Sequence, residues 1–400
     1  MAVAAMLLSV PSGSYCEDTF NISVISAHSG GAGALGQSHW RGAKVAQKHI
    51  NDQGGILGRK IKLIKSDTAA NPSQAVKVAN EVIMGGRAKV FIGGVSSSVG
   101  LALASVVEEG DGLLMLCSSQ TAKSTGSKCS RHVFRTCTNS VGCARAAAIF
   151  MAERYPDVKK WAAINPDYEW GHAALSTFKP TMLENNPGSE FVAETWPKFQ
   201  ETNFESYILK IKATDADGLY SVLYGQDFIT FLKQAQEYNL FDQIKVIMDH
   251  AAAAEVAEPL GKDGNLVQFW GGGHYHHEAF DNPLNDQFRK THRELFDGHE
   301  PRYASSETYT SIYALKKAIE AAGSFETMDV IKELEGMFID SVTGERLIRY
   351  RDHQTITSNV FTHFAPSDED PGFKVLEHVT PFSECYYPRV REEEFRCNKW

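Results

Sequence analysis

The sequence predicts an α/β protein of two lobes, each a parallel sheet flanked by helices, with a ligand cleft between them. Three observations carry this. Short apolar runs alternate with amphipathic stretches from Phe20 onward. The same rhythm restarts near Lys159 after an aperiodic stretch. The chain has 400 residues, 43% apolar and 22% charged, which is enough for two ordinary domains with a core in each.

The elements follow in order. The opening "MAVAAMLLSVPSGSYCEDTF" places an apolar run, Ala2 to Val10, before Pro11 and the small residues Ser12, Gly13 and Ser14. It reads as the core and cleavage region of a secretory signal, although the missing basic start leaves a truncated signal or a mere disordered apolar tail as the two readings. Residues 1–19 are therefore a signal-like segment, and a soluble, exported, periplasmic protein is expected. Tyr15 before Cys16 is too bulky for a lipoprotein cleavage site. "FNISVIS" is the first strand, and a helix runs from near Gln37 to Asn51, stopping at Gly54-Gly55. "KIKLIKSD" is the second strand, and Asn71-Pro72 caps and starts the helix "SQAVKVANEVI". "KVFIGG", the helix "SSSVGLALASVVEE" and the strand "GLLMLCSS" complete the first series. In the second lobe "KKWAAIN", "GLYSVLYG" and "IKVIMDH" are strands. "HVFRTCTNSVGC" and "GGGHYHHEAFDNP" lack a helical period and read as hinges. No later apolar run reaches the roughly 18 residues of a membrane span.

In "HSGGAGALGQ", Gly31, Gly33 and Gly36 spell G-x-G-x-x-G. A dinucleotide loop turns directly from strand to helix and meets an acid about 20 residues on, at the end of the next strand. Here a loop intervenes after Ser26. The acid at that spacing, Asp52, closes a helix, and Asp67 at the strand end comes too late. An NAD-dependent dehydrogenase is thus a remote alternative, and no cofactor is expected. G-x-S-x-G, H-E-x-x-H and a phosphate loop are absent from the sequence, and no carboxylate pair is placed together, so no enzyme is expected. A net charge of −9, with no basic run, argues against a nucleic-acid partner.

Open α/β sheets bind ligands beyond the C-terminal ends of their strands. The third strand delivers Ser96, Ser97 and Ser98 at a helix start, and the fourth delivers Ser118, Ser119 and Gln120. Free N–H groups joined by hydroxyls suit a small carboxylate, although any one serine could serve only as a cap. In the second lobe "NPDYEWG" and "YGQD" put Tyr168, Trp170 and Tyr224 at the facing edge, as a ligand wall.

These residues resemble the periplasmic solute-binding proteins of ABC importers, in the branched-chain amino acid binding group with the type I periplasmic-binding fold. The likeness is carried by "SGGAGALGQ", "GAKVAQKHINDQGGILGRKIKLIKSD", "NPSQAVKVANEVI", "FIGGVSSSVGLALASVVEE", "VFRT", "YEWG" and "FLKQAQEYNL". "GERLIRYRDHQ" matches the strand that returns to the second lobe. The resemblance implies lobe 1 from 20–140 plus 275–348 and lobe 2 from 141–274 plus 349–400, with crossings near 138–142, 271–278 and 344–352. It implies that Ser97 and the Ser118, Ser119, Gln120 loop hold a ligand carboxylate and that Trp170 and Tyr224 close over it. The membrane subunits of an importer are the implied partner. Two positions depart from the family. Leu35 stands where amino acid binders usually carry an aromatic, and the ammonium-pairing glutamate falls at Asp249-His250, with His250 aligned to it. An ammonium buried without its acid is costly, so the expected ligand is an aromatic or other amine-free acid ahead of a branched-chain amino acid. Asp249 could serve an amino acid after a one-residue shift. A ligand sensor or receptor domain on the same fold, for amides or amino acids, is the alternative.

Seven cysteines form no zinc spacing. In an exported chain Cys137/Cys143 and Cys385/Cys397 are candidate local disulfides, with Cys129 an alternative partner for the first pair. His274 and His276 alternate onto one face of an extended segment. Two imidazoles can begin a zinc site, but no third ligand has supporting spacing, and no metal is expected.

Overall fold

Five parallel strands form the first sheet. The computed structural model describes residues 19–251, 257, 260, 267–369, 372–381 and 397. The signal-like segment before Thr19, with Cys16, and also Cys385 lie outside them. The strands are β1 (Thr19–Ser26), β2 (Lys60–Asp67), β3 (Val90–Gly93), β4 (Leu113–Leu116) and β5 (Val133–Arg135), in the order β2-β1-β3-β4-β5. All four residues of β3 and of β4 are buried, as expected of parallel strands with both faces covered. The connecting helices are α1 (Gly33–Asp52), α2 (Pro72–Met84) and α3 (Ser97–Glu109). Asn71 caps α2 by accepting from the Gln74 N–H at 3.0 Å.

Helix α1 starts at Gly33, earlier than the expected Gln37. A Cβ on Gly36 would lie 1.9 Å from the Ala27 carbonyl oxygen, and one on Gly42 would lie 2.0 Å from the Ser305 carbonyl oxygen. These glycines therefore let the helix lie against the exit of β1 and against a neighbouring helix.

The segment 132–143, expected as an aperiodic hinge, is shorter as a connection than it looked. Val133–Arg135 is β5, and α4 (Ser140–Arg154) begins where Asn139 accepts from the Gly142 N–H at 2.7 Å. The chain then builds β6 (Lys160–Ile164), α5 (Glu169–Asn185), β7 (Glu190–Thr195), α6 (Glu205–Lys212), β8 (Gly218–Ser221), α7 (Gln226–Glu237), β9 (Val246–Asp249) and β10 (Phe269–Gly273). It returns to the first lobe through α8 (Pro283–Leu295), α9 (Tyr303–Ala322) and α10 (Thr327–Leu334), then β11 (Phe338–Ser341), β12 (Gly344–Ile348) and β13 (Thr355–Ile356). Finally β14 (Val360–Pro366) and β15 (Phe373–Val379) complete the second sheet, ordered β15-β14-β10-β9-β8-β6-β7. Its strands β6 to β10 run parallel, and β14 and β15 add antiparallel. The architecture is α/β with two lobes.

The segment Gly344–Gln354 is not the strand that re-enters the second lobe. It forms β12 and its turn into β13, in a small antiparallel sheet β11-β12-β13. Ile348 is buried with Ile22, Ile312 and Leu315 in the first-lobe core. Buried Arg346 binds Glu307 of α9 at 2.8 and 3.0 Å and donates to the Thr136 carbonyl at 3.1 Å. That pairing fixes β12 to the first lobe, and β14 is the returning strand.

The expected Cys137/Cys143 bridge is absent. Both are buried thiols. Cys143, inside α4, donates to Asn359 Oδ1 at 3.0 Å, whereas Cys137 faces the Ser119 carbonyl at 3.9 Å. Burial pushes the Cys143 thiol up to about 12. Cys129 is not the partner of either: the thiol of Cys397 packs beside it.

Candidate functional site

The strand exits of both sheets open onto one cleft with about 450 Å³ of open space. From the first lobe come Ser97, the first residue of α3, and Ser118 and Gln120, just past β4. Ser96 precedes α3 without a side-chain cap bond, so the first-turn N–H groups keep their positive partial charge toward the cleft. Behind Ser118 stands His39 of α1, whose Nε2 lies 2.7 Å from Ser118 Oγ and whose Nδ1 lies 2.6 Å from Ser26 Oγ. Burial pushes His39 down to about 3, so it orients the serine as a neutral ring.

The second lobe contributes Tyr168, Trp170, Tyr224 and His250. Trp170 is anchored by donating from Nε1 to the Val222 carbonyl at 3.0 Å. Tyr168 donates to the Tyr224 hydroxyl at 3.2 Å, which leaves the Tyr224 proton to donate elsewhere. Phe199 stacks on Tyr224, with centroids 5.4 Å apart. His250 Nδ1 lies 3.2 Å from Tyr220 Oη, and its Nε2 is buried without a hydrogen-bond partner. Burial pushes this ring, too, down to about 3. A Cβ on Gly272 would sit 2.4 Å from His250 Cα, so β10 can pass behind the histidine only as glycine.

Eight of the ten sequence-predicted residues line the cleft: Leu35, Ser97, Ser118, Gln120, Tyr168, Trp170, Tyr224 and His250. Ser119 and Asp249 do not. Ser119 is buried with Oγ 2.3 Å from where a Cβ on Gly100 would be; it faces α3, because successive residues leaving a strand alternate sides. Asp249 is fully buried and accepts from the Ala251 N–H at 2.8 Å.

Sequence reasoning missed Val95, Ala251, Tyr303 and His274 as lining residues, and His39 behind them. Tyr303 opens α9, far along the chain from the other contributors, and His274 reads as hinge. In the fold His274 Nε2 meets Gln120 Nε2 at 2.9 Å, and its Nδ1 lies 3.8 Å from Glu307 Oε1. Burial, with Arg346 nearby, pushes His274 down to about 3. At the rim, Glu169 of α5 accepts from Thr121 and Lys123 at 3.0 and 2.5 Å, joining the two lobes.

One chemical fact organises the site. Among the described residues none lining the cleft is Asp, Glu, Lys or Arg, and both lining histidines are neutral. Gln120 Oε1, His250 Nε2 and His274 Nδ1 are buried without hydrogen-bond partners, a cost a bound ligand can relieve.

Residues 19–367 match the family described as periplasmic binding protein. The Leu/Ile/Val-binding protein BraC3 of Rhizobium johnstonii is 27% identical over 351 residues, covering 85% of this chain and 90% of that protein. An amino acid ABC transporter substrate-binding protein from Pseudomonas fluorescens superposes with a TM-score of 0.80 at 26% identity, over 91% of this chain and 96% of the other. An ABC transporter solute-binding protein from Rhodopseudomonas palustris, solved with 3,4-dihydroxybenzoic acid, superposes with a TM-score of 0.80 at 20% identity, over 92% and 98%; at that identity the likeness concerns the fold. Among the described residues no helix is long and apolar enough to cross a membrane.

Proposed function

The chain belongs to the periplasmic binding protein family, a substrate-binding protein rather than an enzyme, and from that premise we propose that it captures a small amine-free organic acid, an aromatic carboxylate foremost. In this reading the carboxylate sits on Ser97, Ser118, Gln120 and the α3 N-terminus. The ring lies among Tyr168, Trp170, Tyr224 and Tyr303, and His250 Nε2 meets a polar substituent. Closure of the lobes then selects the state that an importer's membrane subunits accept. The apolar start of the chain supports export to the periplasm.

The observation that carries the reading is that, among the described residues, no Asp, Glu, Lys or Arg lines the cleft. A carboxylate can be satisfied by hydroxyls and helix N–H groups, whereas an α-ammonium would be buried with no acid beside it among the described lining residues. Asp249, the residue that could restore an amino acid site, is turned to the Ala251 backbone. The relatives divide the same way: the R. palustris protein carries an aromatic acid, and BraC3 is named for Leu, Ile and Val.

Mass spectrometry of the molecule released on denaturing protein purified without added ligand tests this. An amine-free acid is expected. A branched-chain amino acid would overturn the reading, and a neutral amide would favour a sensor built on the same fold.

A further inference from the structure

The histidine pair singled out in the sequence parts company in the fold. His274 turns into the cleft, while His276 turns away from it, toward β15. There His276, Glu278 and His378 bring one donor atom each within 4.8 Å of one another. We propose that these three side chains bind a zinc ion, at a site separate from the ligand cleft, that fastens the segment leaving β10 for α8 to the edge of the second sheet.

The backbone sets up the cluster. Thr362 of β14 pairs with Gly271 of β10 on one side and with His378 of β15 on the other. His378 is thereby held two strands away from the point where the chain leaves β10, and residues 276–278 fold back over it. The rings of His276 and His378 lie 4.2 Å apart between centroids. His378 Nδ1 lies 3.1 Å from Thr362 Oγ1. If Nδ1 donates there, Nε2 keeps its lone pair, the arrangement by which an outer partner orients a metal-binding imidazole. That Nε2 is buried without a hydrogen-bond partner, 3.9 Å from Glu278 Oε2.

The donor set is two imidazole nitrogens and a carboxylate oxygen, a set zinc accepts with a fourth position left to water. Zinc bonds of about 2.1 Å need donors about 3.4 Å apart, so the cluster must draw in by about an ångström, and exposed Glu278 on its turn is free to move. The nearby Arg289 charge is answered by Glu300, at 3.0 and 3.1 Å. The third ligand was invisible in the sequence because His378 lies a hundred residues from the pair and meets it only through the order β10-β14-β15.

The test is zinc titration of tag-free, chelator-treated protein, followed by calorimetry and by thermal unfolding. One equivalent should bind and raise the melting temperature. His378→Gln and Glu278→Gln should each weaken binding by at least about tenfold, a loss that even an outer partner can cause, with the cleft's ligand affinity unchanged in both. Glu278 is exposed, so its variant should fold even if the His378 variant does not. No saturable zinc binding, or equal binding by the folded variants, would overturn the site. Neither result would bear on the cleft.

Discussion

Where the first lobe meets the cleft it presents hydroxyls and a helix start, Ser97 and Ser118 with Gln120 beside them; where the second meets it, it presents rings, Tyr168, Trp170 and Tyr224 around His250. The first wall suits a charge and the second suits a flat apolar body. Each wall has a neutral histidine against it, His39 behind Ser118 and His250 among the aromatics. A site whose described lining carries no charge can still be selective. A neutral donor set stabilises an anion through oriented dipoles, and the facing wall supplies area without offering a countercharge to an ammonium.

The largest expected effect is on both walls at once. His39, His250 and His274 are held near 3 in the fold by burial, against about 6.5 in the unfolded chain. Between those values the unfolded chain binds more protons, so stability is full above about pH 6.5 and falls as pH drops toward 3. Each histidine contributes a slope of roughly 1.4 kcal/mol per pH unit. Buried Asp227, raised to about 6, acts in the opposite sense as pH falls from about 6 to 4, and offsets part of the loss. Denaturant unfolding at pH 7, 6 and 5 should show the decline. A flat profile would mean that these rings are not buried neutral.

Next comes the support of the polar wall. Arg346→Ala leaves Glu307 buried and unpaired beneath His274, at a cost of about 3–5 kcal/mol, read as a lower melting temperature. The loss should be in stability first, because Arg346 does not line the cleft.

Ser97→Ala probes the polar wall directly. Removing a charge-assisted hydrogen bond should weaken ligand binding by roughly 1.5–3 kcal/mol, about one to two decades, with the ligand-free melting temperature little changed. Unchanged affinity by calorimetry would remove Ser97 from the anion site.

The smallest effect is expected at the rim that joins the walls. Glu169→Gln breaks the ion pair with Lys123, half of which is exposed. Such pairs contribute about 0–1 kcal/mol, so ligand affinity should shift by less than about fivefold. A larger loss would show that the rim, rather than the walls, holds the closed state.

Much of this was legible in the sequence, for physical reasons that particular residues make plain. Strand–helix alternation is a local signal, and it placed β1 to β4 and the serines at the start of α3. The strand exits followed, because that is where a parallel sheet presents its loops. What escaped was non-local. His39 lies within the ordinary period of α1, and nothing nearby announces that its ring bridges Ser26 and Ser118. Tyr303 reaches the cleft only because Gly42 lets α9 lie against α1. The reading of Gly344–Gln354 as the returning strand failed because its pattern shows a strand but not its partners, which are β11 and β13, while Arg346 ties it to Glu307 of α9. Cys137 and Cys143 are close in sequence yet point apart, since one precedes α4 and the other is inside its first turn.

A cleft with no charged side chain among its described lining residues should prefer an acid without an amine, and calorimetric titration of the intact protein with a series of benzoate-type acids against leucine and valine tests this preference. A benzoate-type acid should bind at least about tenfold more tightly than either amino acid, a gap of about 1.4 kcal/mol that a buried unpaired ammonium readily exceeds. Tighter binding of leucine or valine, lost in Asp249→Asn, would contradict it and identify Asp249 as the missing countercharge.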